Sequence, residues 1–264
     1  MNTNNTKLIS IYCSAFNLIK NSFNWRESLD NFVDFGDEVV VCVNKSEDNT
    51  LDVLNQYKTQ SSADNLNIIE SDFSYDDLAF DGKIKNEALK NTQYPGKVLL
   101  DLDEFIPLSQ FDLWRECVSV LYSSNQVDAL LIPSINLCGG YDTYKDVGYK
   151  FYLHKNHISR GIVKNAKLPN GKINTSISDT TEPISSDGSL ARSIAFSNDI
   201  NAIKSGDIPY VFHKWCINYE DRVRQNATWK PVWENRSGKQ ENDVITDIER
   251  LKSILVSKHD LPLK

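Results

Sequence analysis

The sequence has no block of basic residues. Its 29 Lys and Arg are outnumbered by 36 Asp and Glu, for a formal net charge of −7. A protein that grips nucleic acid by neutralising phosphates carries a basic face, so nucleic acid is not an expected partner. Long apolar runs are also missing. The N-terminus is polar, and the run that follows it, 8–12, is too short for a secretory leader or a membrane span. A chain with no transmembrane segment, working in the cytoplasm, is the expectation. Cysteine is sparse: Cys13, Cys42, Cys117, Cys138 and Cys216 are widely spaced, with no Cys-x-x-Cys and no Cys/His zinc spacing. Buried free thiols in a reducing compartment fit that pattern better than a disulfide framework. Neither an internal repeat nor a flexible linker stands out.

What is present is bulk and periodicity. Five Trp, 11 Tyr and 11 Phe in 264 residues suffice for one large domain with a real core. Apolar runs or alternating segments over 7–16, 38–43, 66–70, 97–105 and 127–132 read as strands. The continuous run Val39-Val-Val-Cys-Val43 suits a strand buried on both faces, as in a parallel sheet. Between these lie helical patterns: 24–35 before Gly36, a second after the cap-rich 46–50, a third over 81–91, and a fourth opened by the capping-box form Ser109-Gln-Phe-Asp112. Alternation of this kind predicts an α/β doubly wound domain over 1–135. The remainder, 136–264, reads as strands near 149–154, 195–196 and 210–215, a polar loop or two hairpins over 164–189, and a C-terminal helix over 243–256. In doubly wound sheets ligands bind beyond the carboxyl ends of the strands. That directs attention to Asn17, Asn44, Asp72 and the pair Asp101 and Asp103.

The sharpest feature is Val98-Leu-Leu-Asp-Leu-Asp-Glu-Phe105. If this is one strand, Asp101 and Asp103 share a face, with Leu100 and Leu102 on the other. Two adjacent carboxylates repel and call for a compensating cation. Hard oxygen ligands favour Mg²⁺ or Mn²⁺.

The first 40% of the chain resembles the nucleotide-binding half of family 2 glycosyltransferases, which have the GT-A fold, a Rossmann-like mixed sheet. Three motifs carry the resemblance in order: Val39-Val-Val-Cys-Val-Asn-Lys-Ser-Glu-Asp-Asn-Thr50, Gly82-Lys-Ile-Lys-Asn-Glu-Ala-Leu89, and Asp101-Leu-Asp103. The resemblance implies transfer of a sugar from a UDP- or GDP-linked donor to a hydroxyl acceptor, a glycan or other small molecule, with inversion and with Mn²⁺ or Mg²⁺ as cofactor. It implies that Asn17, Asn44, Asp72, Lys85, Asn86 and Asp101 line the donor site. Asp101, Asp103 and the late His213 would hold the metal. Asp179, Glu182 and Asp187 become the choices for the base that deprotonates the acceptor, and 136–264 would shape the acceptor side. Asn44 stands where the family more often has Asp, and Lys85 where it has Arg. Trp215, Trp229 and Trp233 offer stacking surfaces, and Arg222, Arg224 and Lys230 offer contacts to phosphate. Two alternatives remain: a sugar-1-phosphate nucleotidyltransferase, and a non-catalytic nucleotide-sugar-binding domain. Against the first, Ser14-Ala-Phe-Asn-Leu-Ile-Lys20 has no glycine where such enzymes place a Gly-rich loop. Against the second, both Asp101 and Asp103 are retained.

Overall fold

In the computed structural model the described residues are 7–74, 80–155, 159–160, 183–184, 191–227 and 247–263. The first half alternates β1 (Ile9–Ala15), α1 (Trp25–Phe35), β2 (Glu38–Asn44), α2 (Thr50–Ser61), β3 (Leu66–Ser71), α3 (Phe80–Lys90) and β4 (Gly96–Leu99). After β4 come the two-residue β5 (Glu104–Phe105), α4 (Phe111–Ser123), and the long hairpin of β6 (Ala129–Cys138) and β7 (Thr143–His154). The short β8 (Ser159–Arg160), β9 (Pro183–Ile184) and β10 (Ser193–Ala195) precede α5 (Ile200–Lys204), β11 (Val211–Cys216) and β12 (Ser257–Lys258).

The main sheet runs β3-β2-β1-β4-β7-β6-β11-β5. Strands β1 to β4 are parallel, and the direction reverses where β7 joins β4. Alternation along each strand sends residues to two cores. Ile9, Ile11, Cys13, Val39, Val41 and Val98 pack with Leu29 and Phe32 of α1 and Trp114 of α4. Tyr12, Val40, Cys42 and Leu99 pack against Phe80, Ile84 and Ala88 of α3 on the opposite face. Helices on both faces of a mixed sheet make this the expected doubly wound α/β architecture. All five cysteines are buried free thiols. No helix among the described residues is long and apolar enough to cross a membrane.

Gly36 ends α1 in ordinary extended backbone, not in a left-handed turn. Its reason is space: a Cβ there would lie 3.0 Å from both the Glu38 carbonyl and Ile11 Cδ1.

Several sequence expectations are corrected. The strand expected over 97–105 stops at Leu99, and Asp101 to Asp103 form a turn closed by the Glu104 N–H donating to the Asp101 carbonyl at 2.9 Å. The cause is local. Glu104 Oε2 accepts the Asp101 N–H at 2.7 Å, taking the donor a ladder would need. Leu100 and Leu102 are buried either way, which is why the pattern looked like a strand. The capping box at 109–112 is absent. A 3₁₀ turn, Leu108–Gln110, leads into α4, and its N-cap Gln110 makes no side-chain capping bond.

The strand expected to end at 132 continues to Cys138, so the division drawn at 135/136 falls inside β6. Pro133 is tolerated mid-strand because β10 pairs with 129–131 and β11 from Ser134 onward, so the proline occupies the gap between them. The strand near 149–154 begins earlier, at Thr143. The helix expected over 243–256 is only Ile248–Lys252 among the described residues, and Leu255 is 91% exposed. Most of the polar stretch 164–189 lies outside the described residues.

Candidate active site

The carboxyl ends of β1, β2, β3 and β4 meet on one rim. At the β1 end Asn17 is buried and accepts the Glu47 N–H through Oδ1 at 2.8 Å. Its backbone has φ 50°, a left-handed value that Asn tolerates. At the β2 end Asn44 Oδ1 accepts from Ser71 Oγ at 2.9 Å and Phe73 N at 2.8 Å, while Nδ2 donates to the Phe73 carbonyl at 3.1 Å. Three of its four hydrogen-bonding positions therefore brace the chain leaving β3. Beyond Asn44 lies a cleft of about 670 Å³ lined by Asn44, Ser46, Asp52, Ser71 and Asp72. Asp72 is exposed there, with Lys45 at 3.6 Å.

At the β4 end a buried charge cluster forms. Lys85, carried on α3 and only 4% exposed, lies 2.8 Å from Asp81 and 3.0 Å from Asp101 Oδ1. Lys150, carried on β7, lies 2.5 Å from Asp101 Oδ2 and 2.8 Å from Glu104. Tyr152 donates to Glu104 Oε1 at 2.6 Å, and Ser14 donates to Asp81 at 2.9 Å. Both oxygens of Asp101 are thus held by ammonium groups. Burial alone would push its carboxyl up, yet Lys150 and then Lys85 hold it well below the usual carboxylate range. For both lysines burial acts downward and is outweighed by the carboxylates together, Asp101 first, with Asp81 at Lys85 and Glu104 at Lys150, which leaves them above the usual lysine value. Asn86 follows Lys85 on α3 and is half-buried.

Asp103 faces elsewhere. Its Oδ2 lies 3.3 Å from Nε2 of His213, on β11. The pairing of β5 with β11, which sets His213 opposite Glu104, brings together two residues 110 apart in the chain. The Lys214 N–H donates to the Asp103 carbonyl at 2.7 Å and fixes the turn against β11. His213 Nδ1 lies 2.8 Å from Asn136 Oδ1, and Asn136 Nδ2 donates to Asp146. A carboxylate only accepts, so Asn136 turns its nitrogen to Asp146 and its oxygen to His213. Nδ1 must then carry a proton, and Nε2 presents its lone pair toward Asp103 when the ring is neutral. Burial works against charge on His213, but Asp103 overrides it and raises the imidazole above its ordinary value. Burial likewise opposes ionisation of Asp103, and His213 brings its carboxyl below the usual range.

The structure therefore brings Lys85, Asp101, Asp103 and His213 onto one rim and leaves Asp72 in the adjoining cleft. It does not place Asp101 and Asp103 side by side on a strand. Asp179, Glu182, Asp187, Trp229, Lys230 and Trp233 lie outside the described residues. Lys150, Glu104, Tyr152 and Asn136 were not anticipated. A signal for Lys150 existed in Tyr149-Lys-Phe-Tyr-Leu-His154, where Lys150, Tyr152 and His154 fall on one strand face.

No protein-family model matches the chain. No curated protein sequence matches it either. Among solved structures it is similar to S. aureus TarS, with 16% identity and a TM-score of 0.45, over 93% of this chain and 42% of TarS. It is similar to S. aureus TarS 1-349 in complex with UDP, with 17% identity and a TM-score of 0.44, over 89% of this chain and 68% of that one. It is also similar to the mannosyltransferase PcManGT from Pyrobaculum calidifontis in complex with GDP-Man and Mn²⁺, with 21% identity and a TM-score of 0.37, over 47% of this chain and 34% of that one. The chain thus spans less than half the length of full TarS.

Proposed function

We propose that this chain is a GT-A-type glycosyltransferase that moves a sugar from a UDP- or GDP-linked donor to a hydroxyl acceptor. The observation that carries the reading is the convergence of Asp103 and His213, 3.3 Å apart on the rim where parallel strands present ligand sites. Two ligands at ~2.1 Å from an octahedral ion, in neighbouring positions, lie about 3 Å from each other. The pair fits Mn²⁺ or Mg²⁺ in spacing and in the tautomer that Asn136 enforces, and Asp103 supplies the hard oxygen such ions take. Asp101 does not fit as a ligand, because Lys85 and Lys150 occupy its oxygens. Among the described residues no group of three or more His, Cys, Asp or Glu is arranged to hold a metal. Two protein ligands suit an ion that takes its remaining oxygens from water and a diphosphate. When bound, such an ion supplies Lewis-acid stabilisation of the charge on the departing nucleoside diphosphate.

The chain's own residues do the rest. The cleft at β2 and β3, braced by Asn17 and Asn44 and open to Asp72, receives the nucleoside. Lys85 and Lys150 hold Asp101 rigid at the β4 end, and Asn86 follows Lys85 on α3. An acceptor hydroxyl loses its proton to a carboxylate, which the family resemblance assigns to Asp179, Glu182 or Asp187, and the sugar is transferred with inversion. Among Asn variants at those three positions, the base variant should bind donor normally and release no product. Undiminished transfer by all three would remove them from the role.

The reading is tested by thermal shift with UDP, GDP and their sugars, with and without Mn²⁺. A ligand at 100 times its Kd stabilises by about 2.7 kcal/mol. One nucleotide should raise the midpoint with metal present and much less without it, and incubation with its sugar should release free sugar slowly. If no nucleoside diphosphate shifts the midpoint in either condition, the reading is wrong.

A further inference from the structure

Arg222 lies in the helical segment 219–227, immediately after β11. Its backbone N–H donates to the Asn218 carbonyl at 3.1 Å, so the residue sits within the first turn. Its side chain returns over β11, with Cζ 4.8 Å from the centre of the Trp215 ring. Lys145 Nζ lies 4.5 Å from the same ring, so two cations flank one indole. Lys145 has Asp146 at 3.3 Å. Among the described residues no carboxylate pairs with Arg222, and its Nε is buried and unbonded. The ring contact holds the guanidinium in place and leaves its Nε donor without an acceptor.

Burial presses the Arg222 pKa down, and Asp103 is the chief group opposing that. Trp215 and His213 stand two apart on β11 and alternate with the buried Lys214, so both project from one face of the strand, with Arg222 over the first of them. The guanidinium therefore shares the space around the Asp103–His213 pair. Arg222 is half-buried, and a partly desolvated cation without a hydrogen-bonded partner is costly to keep in a folded protein. A planar fork of donors beside the position given to the diphosphate is the arrangement suited to phosphate oxygens.

We infer that Arg222 is an anion-binding residue of this site, contacting the terminal phosphate of the bound nucleoside diphosphate and stabilising it as the sugar departs. The inference rests on the glycosyltransferase reading above and singles out Arg222 from the three basic residues that the sequence offers for phosphate. Trp215 acts as the platform that fixes the guanidinium plane, which gives this aromatic a role other than sugar stacking.

The test compares nucleoside di- and monophosphates by calorimetry at fixed Mg²⁺, using UDP against UMP and GDP against GMP. In the unmodified protein the diphosphate should bind at least about tenfold more tightly than the monophosphate, as charge-assisted bonds to one more phosphate require. Arg222→Met should bring that ratio to within about threefold and leave monophosphate affinity nearly unchanged. Arg222→Lys, which retains charge but not the fork, should fall between. The unliganded Arg222→Met protein should also melt no lower than the parent, because a half-buried, unpaired charge has been removed. A merely structural arginine would lower the midpoint and leave the ratio alone. A diphosphate preference that survives both substitutions overturns the assignment to Arg222 while leaving the glycosyltransferase reading intact. Failure of the unmodified protein to bind any of the four nucleotides sinks that reading, and this inference with it.

Discussion

Asp103→Asn is expected to lower kcat/KM for sugar transfer by about a thousandfold, with the fold intact. The amide has nearly the shape of the carboxylate, and its oxygen can still meet His213, so packing around the turn survives. What disappears is the anionic oxygen that, with His213 Nε2, forms the proposed metal seat. Metal stabilisation of a departing diphosphate is worth several kcal/mol, and ~4 kcal/mol corresponds to about a thousandfold in rate. Steady-state kinetics with saturating Mn²⁺ check this, together with a melting curve that should differ little from the parent. A variant with more than about a tenth of parental kcat/KM would remove Asp103 from the metal role.

Lys150→Met has the opposite profile, a large effect on stability. Lys150 is 9% exposed and neutralises both Asp101 and Glu104, the latter only 3% exposed. Removing one partner of a buried ion pair typically costs about 3–5 kcal/mol, because the remaining charge is left uncompensated. For a chain of this length each kcal/mol moves the midpoint by about 2–4 °C, so a drop of roughly 10 °C is expected. The pH dependence follows from the shifts. Asp101 titrates below its ordinary value of 3.8, so its contribution is complete above that pH and fades as pH falls through the lower folded value. Lys150 titrates above its ordinary 10.5, so its contribution is complete below that pH and fades at higher pH. The gap between parent and variant in urea denaturation should thus be widest between these limits and narrow toward pH 3. A variant as stable as the parent at pH 7 would show that the cluster is not the compensated unit described above.

These two substitutions also mark how far the sequence could be read. The alternation of apolar runs and helical patterns through β4 was visible because parallel strands covered on both faces leave continuous hydrophobic stretches such as Val39 to Val43. It failed where tertiary pairing overrides local pattern. Pro133 looked like the end of a strand, and only the placement of β10 and β11 on either side of it makes the continuation of β6 intelligible. Asp101-Leu-Asp103 looked like a strand because Leu100 and Leu102 are buried in either conformation, while the bond from Asp101 N–H to Glu104 that turns the chain has no periodic signature. The sequence reading gave Asp101 a divalent ion for compensation, whereas the cations beside it are lysines from α3 and β7. Lys150 stands 49 residues away, a separation that pattern alone does not bridge. His213 was singled out by family resemblance, but its partner in space follows from the two-residue pairing of β5 with β11, and its tautomer from Asn136, neither of which is written in local sequence.

The most direct measurement is anomalous diffraction at the manganese edge from crystals grown with Mn²⁺ and the nucleoside diphosphate that stabilises the protein. A single peak is expected within about 2.0–2.3 Å of an Asp103 carboxylate oxygen and His213 Nε2. Asp101 should remain clasped by Lys85 and Lys150. A peak bonded to Asp101 with those lysines displaced, or no manganese at Asp103 and His213 in crystals that hold the nucleotide, would contradict the account.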